Sequence, residues 1–290
     1  MTTMQNKTCL ITGGTNGIGK VAALELARMG ATIIIVGRNA AKTAQLVEEI
    51  KAATGSNTVD SLLGDLSSQA DVRRVAAEFK QKYPRLHVLL NNAGVLNMDR
   101  QLSGDGIEMT FAVNHLAYFL LTNLLLDTIK ASAPARIVNV SSGAHTNGRV
   151  DFDNLQGERR YRGMLAYSTS KLENILFTVE LARRLAGTGV TVNALHPGFV
   201  NTGWAKNGNG LMPKLMALIT PLVARTPEKG AETSIYMASS PEVGAITGKY
   251  FFDCKPKQPT VQATDMAAAK KLWEVSAQLV KLDEVVPAGA

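Results

Sequence analysis

Cysteine is scarce in this 290-residue chain: Cys9 and Cys254 stand near its opposite ends. That excludes a disulfide framework and a cysteine-based metal site, and it suits a reducing compartment. The four histidines show no metal-ligand spacing either, so no metal is expected. Long hydrophobic runs are missing as well. The longest apolar stretches, Ala31–Val36 and Leu116–Leu126, fall short of the roughly 18 residues that a membrane span needs. Met1 to Lys7 is polar, so no leader is expected and a cytoplasmic location is. Charge of one sign is not concentrated. The net charge is +7, from 31 Lys and Arg against 24 Asp and Glu, but the basic residues are scattered. Nucleic acid is therefore not expected as a partner. There is no internal repeat, no low-complexity tract and no long linker, which leaves residues 1–290 as one domain.

Hydrophobic residues make up 46%, enough for a substantial core. Short β-branched runs predict strands at Lys7–Thr12, Ala31–Val36, Thr58–Leu63, His87–Asn91, Ala135–Val140, Val190–Leu195 and Lys249–Phe252. Longer stretches with helical spacing separate them: Val21–Met29, Ala40–Ala53, Ala70–Lys82, Gly106–Lys130, Leu165–Ala186 and Glu228–Ala238. A further helix is expected over about 264–282. Strands alternating with helices predict an α/β fold: one doubly wound Rossmann-type domain with a seven-stranded, mostly parallel sheet and helices on both faces. Two segments read as additions, a polar insertion over 145–163 and a Gly-rich, then apolar segment over 207–224.

The first strand runs into Thr12-Gly13-Gly14-Thr15-Asn16-Gly17-Ile18-Gly19 and then a helix. Glycines allow a tight turn there and let the backbone approach a pyrophosphate at the helix N-terminus. The second strand ends Val36-Gly37-Arg38-Asn39, with no carboxylate to accept a ribose 2′-OH. Arg38 can pair with a 2′-phosphate through its planar fork, so NADP(H) is expected over NAD. Asp65, in Gly64-Asp65-Leu66 after the third strand, can take a hydrogen bond from the adenine amino group, cap the next helix, or do both.

Tyr167 and Lys171 stand four apart on a predicted helix and share a face. A phenol is a poor base near neutrality, and a nearby ammonium would lower its pKa. Strand five ends Asn139-Val140-Ser141-Ser142, which puts a hydroxyl at the carboxyl edge of the sheet. Strand four ends Asn91-Asn92-Ala93-Gly94, an edge suited to a flat cofactor. The side-chain amide of Asn114, within a helical stretch, could hold a proton-relaying water or simply pack in the core. Met212, Leu215 and Met216 beside Pro213 read either as ordinary packing or as a lid over an apolar substrate.

Taken together and in order, these residues and His196-Pro197-Gly198-Phe199-Val200-Asn201-Thr202 resemble the short-chain dehydrogenase/reductase superfamily over almost the whole chain. The resemblance implies a tetrad of Asn114, Ser142, Tyr167 and Lys171, with Ser142 chosen over Ser141 on that ground alone. It implies cofactor contacts from Gly13, Thr15, Asn16, Gly17, Ile18, Gly19, Arg38, Asp65, Leu66, Asn92, Ala93, Gly94, Tyr167, Lys171, Pro197, Gly198, Val200 and Thr202. Ser142-Gly143-Ala144-His145 and Val150-Asp151-Phe152-Asp153-Asn154-Leu155 resemble more narrowly the retinol dehydrogenase and WW-domain-oxidoreductase branch. The implied activity is NADP(H)-dependent interconversion of an apolar carbonyl and an alcohol, with Tyr167 as general acid/base. A non-catalytic NADPH-binding sensor on the same fold is the alternative. Weak peripheral membrane contact through Leu211–Val223, and pairing into homodimers or homotetramers through the helices carrying Asn114 and Tyr167, are the further expectations.

Overall fold

The computed structural model of the protein describes residues 3–200 and 224–282. Strands β1 (Thr8–Thr12), β2 (Thr32–Gly37), β3 (Val59–Leu63), β4 (Val88–Asn91), β5 (Ala135–Val140), β6 (Val190–Leu195), β7 (Tyr250–Phe252) and β8 (Lys255–Lys257) form one sheet in the order β3-β2-β1-β4-β5-β6-β7-β8. Every neighbouring pair is parallel except β7–β8. Strand order reverses between β1 and β4, which opens a crevice at the carboxyl ends of the central strands.

The helices are α1 (Gly17–Arg28), α2 (Ala40–Thr54), α3 (Gln69–Lys82), α4 (Met109–Lys130), α5 (Gly163–Arg184), α6 (Pro227–Ser239) and α7 (Met266–Leu279). Strand residues alternate between two packed faces. Ile33 and Ile35 of β2 join the core under α1, α2 and α6, whereas Ile34 and Val36 join the core under α3, α4, α5 and α7. Burial on both faces explains why the strands read as unbroken apolar runs.

Most helices begin on a side-chain cap. Asn39 Oδ1 accepts the Lys42 N–H at 2.9 Å, Ser68 Oγ accepts that of Asp71, and Asp265 Oδ1 accepts those of Ala267 and Ala268. Buried Glu108 starts α4 by accepting the N–H groups of Thr110 and Phe111, three residues after the predicted start at Gly106. One turn of α4, Ala112–Leu116, is π-helical. Among the described residues α4 alone is long and apolar enough to cross a membrane by length and composition, and 83% of its most apolar stretch is buried inside the fold. That is what a core helix looks like.

The sheet has eight strands where seven were expected. The eighth, Lys255–Lys257, is a fully exposed edge strand reached by a turn through Asp253 and Cys254, both at positive φ. Three exposed residues with a central proline carry no apolar signature, so nothing in the pattern marks them as a strand.

Candidate active site

The turn from β1 into α1 is built for close approach. Gly13 has φ +64°, and a Cβ there would lie 2.7 Å from Ala93 Cα. Asn92 Nδ2 donates to the carbonyls of Thr12 and Gly13, at 2.9 and 3.1 Å. Thr12 Oγ1 accepts the N–H groups of Asn92 and Ala93, and the Tyr118 hydroxyl donates to the Ala93 carbonyl at 2.7 Å. Asn92 and Ala93 thus stitch β4 to the glycine turn. Thr12 and Tyr118 complete that network. The Thr before the first glycine was in view in the motif, whereas Tyr118 gave no sequence signal.

Helix α1 starts uncapped. Its N-cap, Asn16, makes no side-chain capping bond, and its first turn holds no acid. The first N–H groups of the helix, those of Gly17, Ile18 and Gly19, therefore have no side-chain cap. A Cβ on Gly19 would lie 2.5 Å from Asn92 Nδ2, so glycine is needed there for packing. An uncapped positive helix end, reached through a turn where side chains have no room, fits the pyrophosphate of a dinucleotide.

Arg38 follows β2 beside this turn. Its side chain is 78% exposed and reaches Asp65 Oδ2 at 3.8 Å. Asp65 Oδ1 accepts from the backbone and hydroxyl of Ser67, while Ser68 caps α3, so Asp65 braces the turn and leaves the capping role to its neighbour. Leu66 follows, partly buried.

Tyr167 and Lys171 share the face of α5 that meets the end of β5. The Ser142 hydroxyl is close enough to the Tyr167 phenol to favour its ionised form. Ser141 points the other way, its Oγ donating to the Lys171 carbonyl at 2.7 Å. Strand alternation separates the two serines, and Ser142 is the one at the phenol. Lys171 is buried, its Nζ donating to the Val140 carbonyl at 3.1 Å and lying 5.6 Å from the Tyr167 ring centroid.

One expectation is corrected here. The Lys171 ammonium was expected to pull the phenol down. Instead burial dominates both groups: it pushes the Tyr167 phenol up to about 12, partly offset by the nearby Ser142 hydroxyl, and brings the Lys171 amine down to about 7.

Asn114 lies in the π-helical turn, fully buried. Its Oδ1 accepts the Val95 N–H at 2.7 Å, and its Nδ2 donates to the Val95 carbonyl and to Ser170 Oγ, both at 2.9 Å. The side-chain amide is thus committed to protein partners rather than to a water. Ser170 passes the contact on, donating to the Tyr167 carbonyl at 2.8 Å. Neither Val95 nor Ser170 was singled out from the sequence. A Cβ on Gly94 would stand 3.4 Å from Lys171 Nζ and 3.5 Å from Asn114 Oδ1, so Gly94 opens onto the same centre.

On the far side, Pro197 leads into Gly198, at φ +85°, whose N–H donates to His196 Nδ1 at 3.1 Å. A Cβ on Gly230 would meet Val200 at 2.6 Å and Ile18 at 3.2 Å, which places Val200 against α1 and α6. Thr202 and residues 207–223 of the expected lid lie outside the described residues.

Comparison with known proteins gives a consistent result. A family profile described as short chain dehydrogenase matches residues 7–210. Retinol dehydrogenase 14 of Homo sapiens is 46% identical over 294 residues, covering 96% of this chain and 88% of its own. Retinol dehydrogenase 13 of Homo sapiens is 44% identical, covering 97% and 86%. Among solved structures, an uncharacterized protein from Mycobacterium paratuberculosis superposes with a TM-score of 0.80 at 33% identity, over 99% of this chain and 97% of its own. The RhlG/NADP active-site complex of Pseudomonas aeruginosa superposes with a TM-score of 0.69 at 26% identity, over 86% and 95%.

Proposed function

The chain belongs to the short chain dehydrogenase family and is an oxidoreductase acting on alcohols or carbonyls, and from that premise we propose that it uses NADP(H) to interconvert an apolar ketone or aldehyde and its alcohol, with Tyr167 as general acid/base. The observation that carries this reading is buried Lys171, its Nζ held by the Val140 carbonyl at the end of β5 and 5.6 Å from the Tyr167 ring.

When bound, the nicotinamide would supply the hydride to the carbonyl carbon, or remove it from the alcohol. The glycine turn and the uncapped start of α1 would hold the pyrophosphate, and Asn92 to Gly94 would floor the site. A phenol pushed up to about 12 keeps its proton at neutral pH, which suits donation to a carbonyl oxygen. Ser142 orients that oxygen, and its hydroxyl then stabilises the phenolate left on Tyr167. Lys171, in its ammonium form, opposes the same negative charge from beneath the ring. In the reverse direction the phenolate form of Tyr167 takes the alcohol proton, so oxidation is favoured as pH rises.

Four observations support the finer points. Arg38 follows a strand, β2, that ends without an acid of its own, and its largely exposed side chain touches Asp65 only at 3.8 Å, which leaves the guanidinium available to a 2′-phosphate. The Pseudomonas aeruginosa structure that superposes on this chain is an NADP complex. For an apolar substrate, Met164 and Leu165 stand exposed just before Tyr167 on α5, and exposed Met98 adjoins Gly163 at the start of that helix. The relatives are named for retinol, an apolar alcohol.

The test is NADPH and NADH oxidation with a panel of retinal, steroid ketones, aliphatic aldehydes and aromatic ketones. NADPH is expected to exceed NADH by at least about tenfold in kcat/KM, the value of one charge-assisted contact. Arg38→Glu should reverse that order. A wild-type preference for NADH would overturn the cofactor reading.

A further inference from the structure

His115 follows Asn114 in the π-helical turn of α4, and its surroundings are unusual for a polar ring. Phe111 stacks on it at 5.4 Å, Phe119 lies 6.4 Å away, and Phe177 meets it edge-on at 6.2 Å. The imidazole is 1% exposed. Burial brings its pKa down to about 3, so the ring is neutral at working pH. Its one hydrogen bond joins Nε2 to Ser276 Oγ at 2.8 Å, and Nδ1 has no partner. A half-satisfied imidazole in an aromatic box costs free energy that phenylalanine would avoid. The bond to Ser276 is what the histidine adds.

Ser276 sits on α7, outside the 7–210 stretch that the family profile matches. It is fully buried. Helix α7 is anchored firmly. Trp273 packs on Phe119 at 4.8 Å and on Phe177 at 5.8 Å, with the Arg184 guanidinium 4.2 Å over its ring. Beyond its end, the Val280 carbonyl accepts from Arg73 at 2.5 Å. Ser276 therefore presents a fixed point to the π-turn.

The turn in turn fixes the active site. A π-helical turn is a rare insertion in an α-helix, found frequently at functional sites. Asn114, one residue before His115, holds Val95 through two bonds and Ser170 through a third, and Ser170 holds the Tyr167 carbonyl.

We propose that Ser276 is a positioning residue: through His115 it sets the π-turn that carries Asn114, and so aligns the backbone at Val95 and Tyr167 for the reaction. The proposal rests on the activity reading above, and its test separates the two failures. Removing both partners leaves no orphaned group, so the double variant Ser276→Ala/His115→Phe should keep a Tm near wild type. Its kcat should nevertheless fall about tenfold or more, because small misplacements near the reacting groups are costly. Affinity for NADPH, measured by fluorescence titration, should stay within about twofold, since the cofactor-binding turn is untouched. Hydrogen exchange at the Val95 amide, whose acceptor is Asn114, should quicken in the double variant and in Ser276→Ala alone. Ile50→Ala, in the core beneath α2 and away from α7, is the control: it lowers Tm without altering kcat per folded molecule. Wild-type kcat and wild-type Val95 exchange in the double variant would overturn the proposal. If the wild type turns over no carbonyl at all, the activity reading fails while the exchange measurement still decides the positioning.

Discussion

Glu173 lies two residues past Lys171 on α5, where it faces away from the reacting centre. It is 1% exposed, and its Oε1 has no hydrogen-bond partner. Burial, with the Glu108 carboxylate nearby, pushes its pKa up to about 8. The unfolded chain loses this proton near the ordinary carboxylate value, whereas the folded protein keeps it to about 8. Stability from this group is therefore full below the unfolded pKa and is lost as pH rises through the window up to about 8, at up to about 1.4 kcal/mol per unit. Glu173→Gln should remove that slope. Tm measured from pH 5 to 9 should fall less steeply in the variant, and equal slopes would refute the assignment. At this scale the sequence revealed groups whose role is set by local spacing: Tyr167 with Lys171, and Ser142 by resemblance. It could not reveal groups set by packing. Glu173 and His115 look like any helical polar residues until the fold buries them, and the upward push on Tyr167 depends on burial that no spacing encodes.

The β1–α1 turn is the element that most constrains the cofactor site. Gly13 combines a left-handed φ of +64° with a Cβ position 2.7 Å from backbone Ala93. Alanine there must shift either the turn or the end of β4, and a strained left-handed residue alone costs of order 1 kcal/mol or more. Gly13→Ala should fold, by circular dichroism, yet bind NADPH at least about tenfold more weakly in titration calorimetry. Unchanged affinity would remove the turn from the cofactor site. This turn was legible because glycine spacing, strand and helix coincide in one short stretch. The π-turn in α4 was not, since one extra residue per turn leaves the apolar pattern of Leu116–Leu126 intact. Strand β8 escaped for a different reason: an exposed Lys-Pro-Lys edge has no buried face to alternate.

Across the whole molecule, the β/α alternation was readable because both faces of the sheet are covered and the strands are apolar throughout. The reversal of strand order between β1 and β4 gathers the glycine turn, Asn92 to Gly94, Asn114, Ser142, Tyr167, Lys171 and Pro197 to Val200 along one edge. Segments far apart in sequence meet there, so pairwise geometry could be inferred only through resemblance. Helix α7 closes the opposite side of α4 and α5, and its docking was invisible to pattern because Trp273 and Ser276 meet partners about a hundred or more residues away. The assembly converges on the proton held by Tyr167, and the most direct measurement is the NADPH-dependent reduction rate of Tyr167→Phe beside its NADPH affinity. Loss of the hydroxyl should cut kcat about a thousandfold, within the span of general acid catalysis, with NADPH affinity unchanged. Turnover near the wild-type rate in that variant would contradict the account.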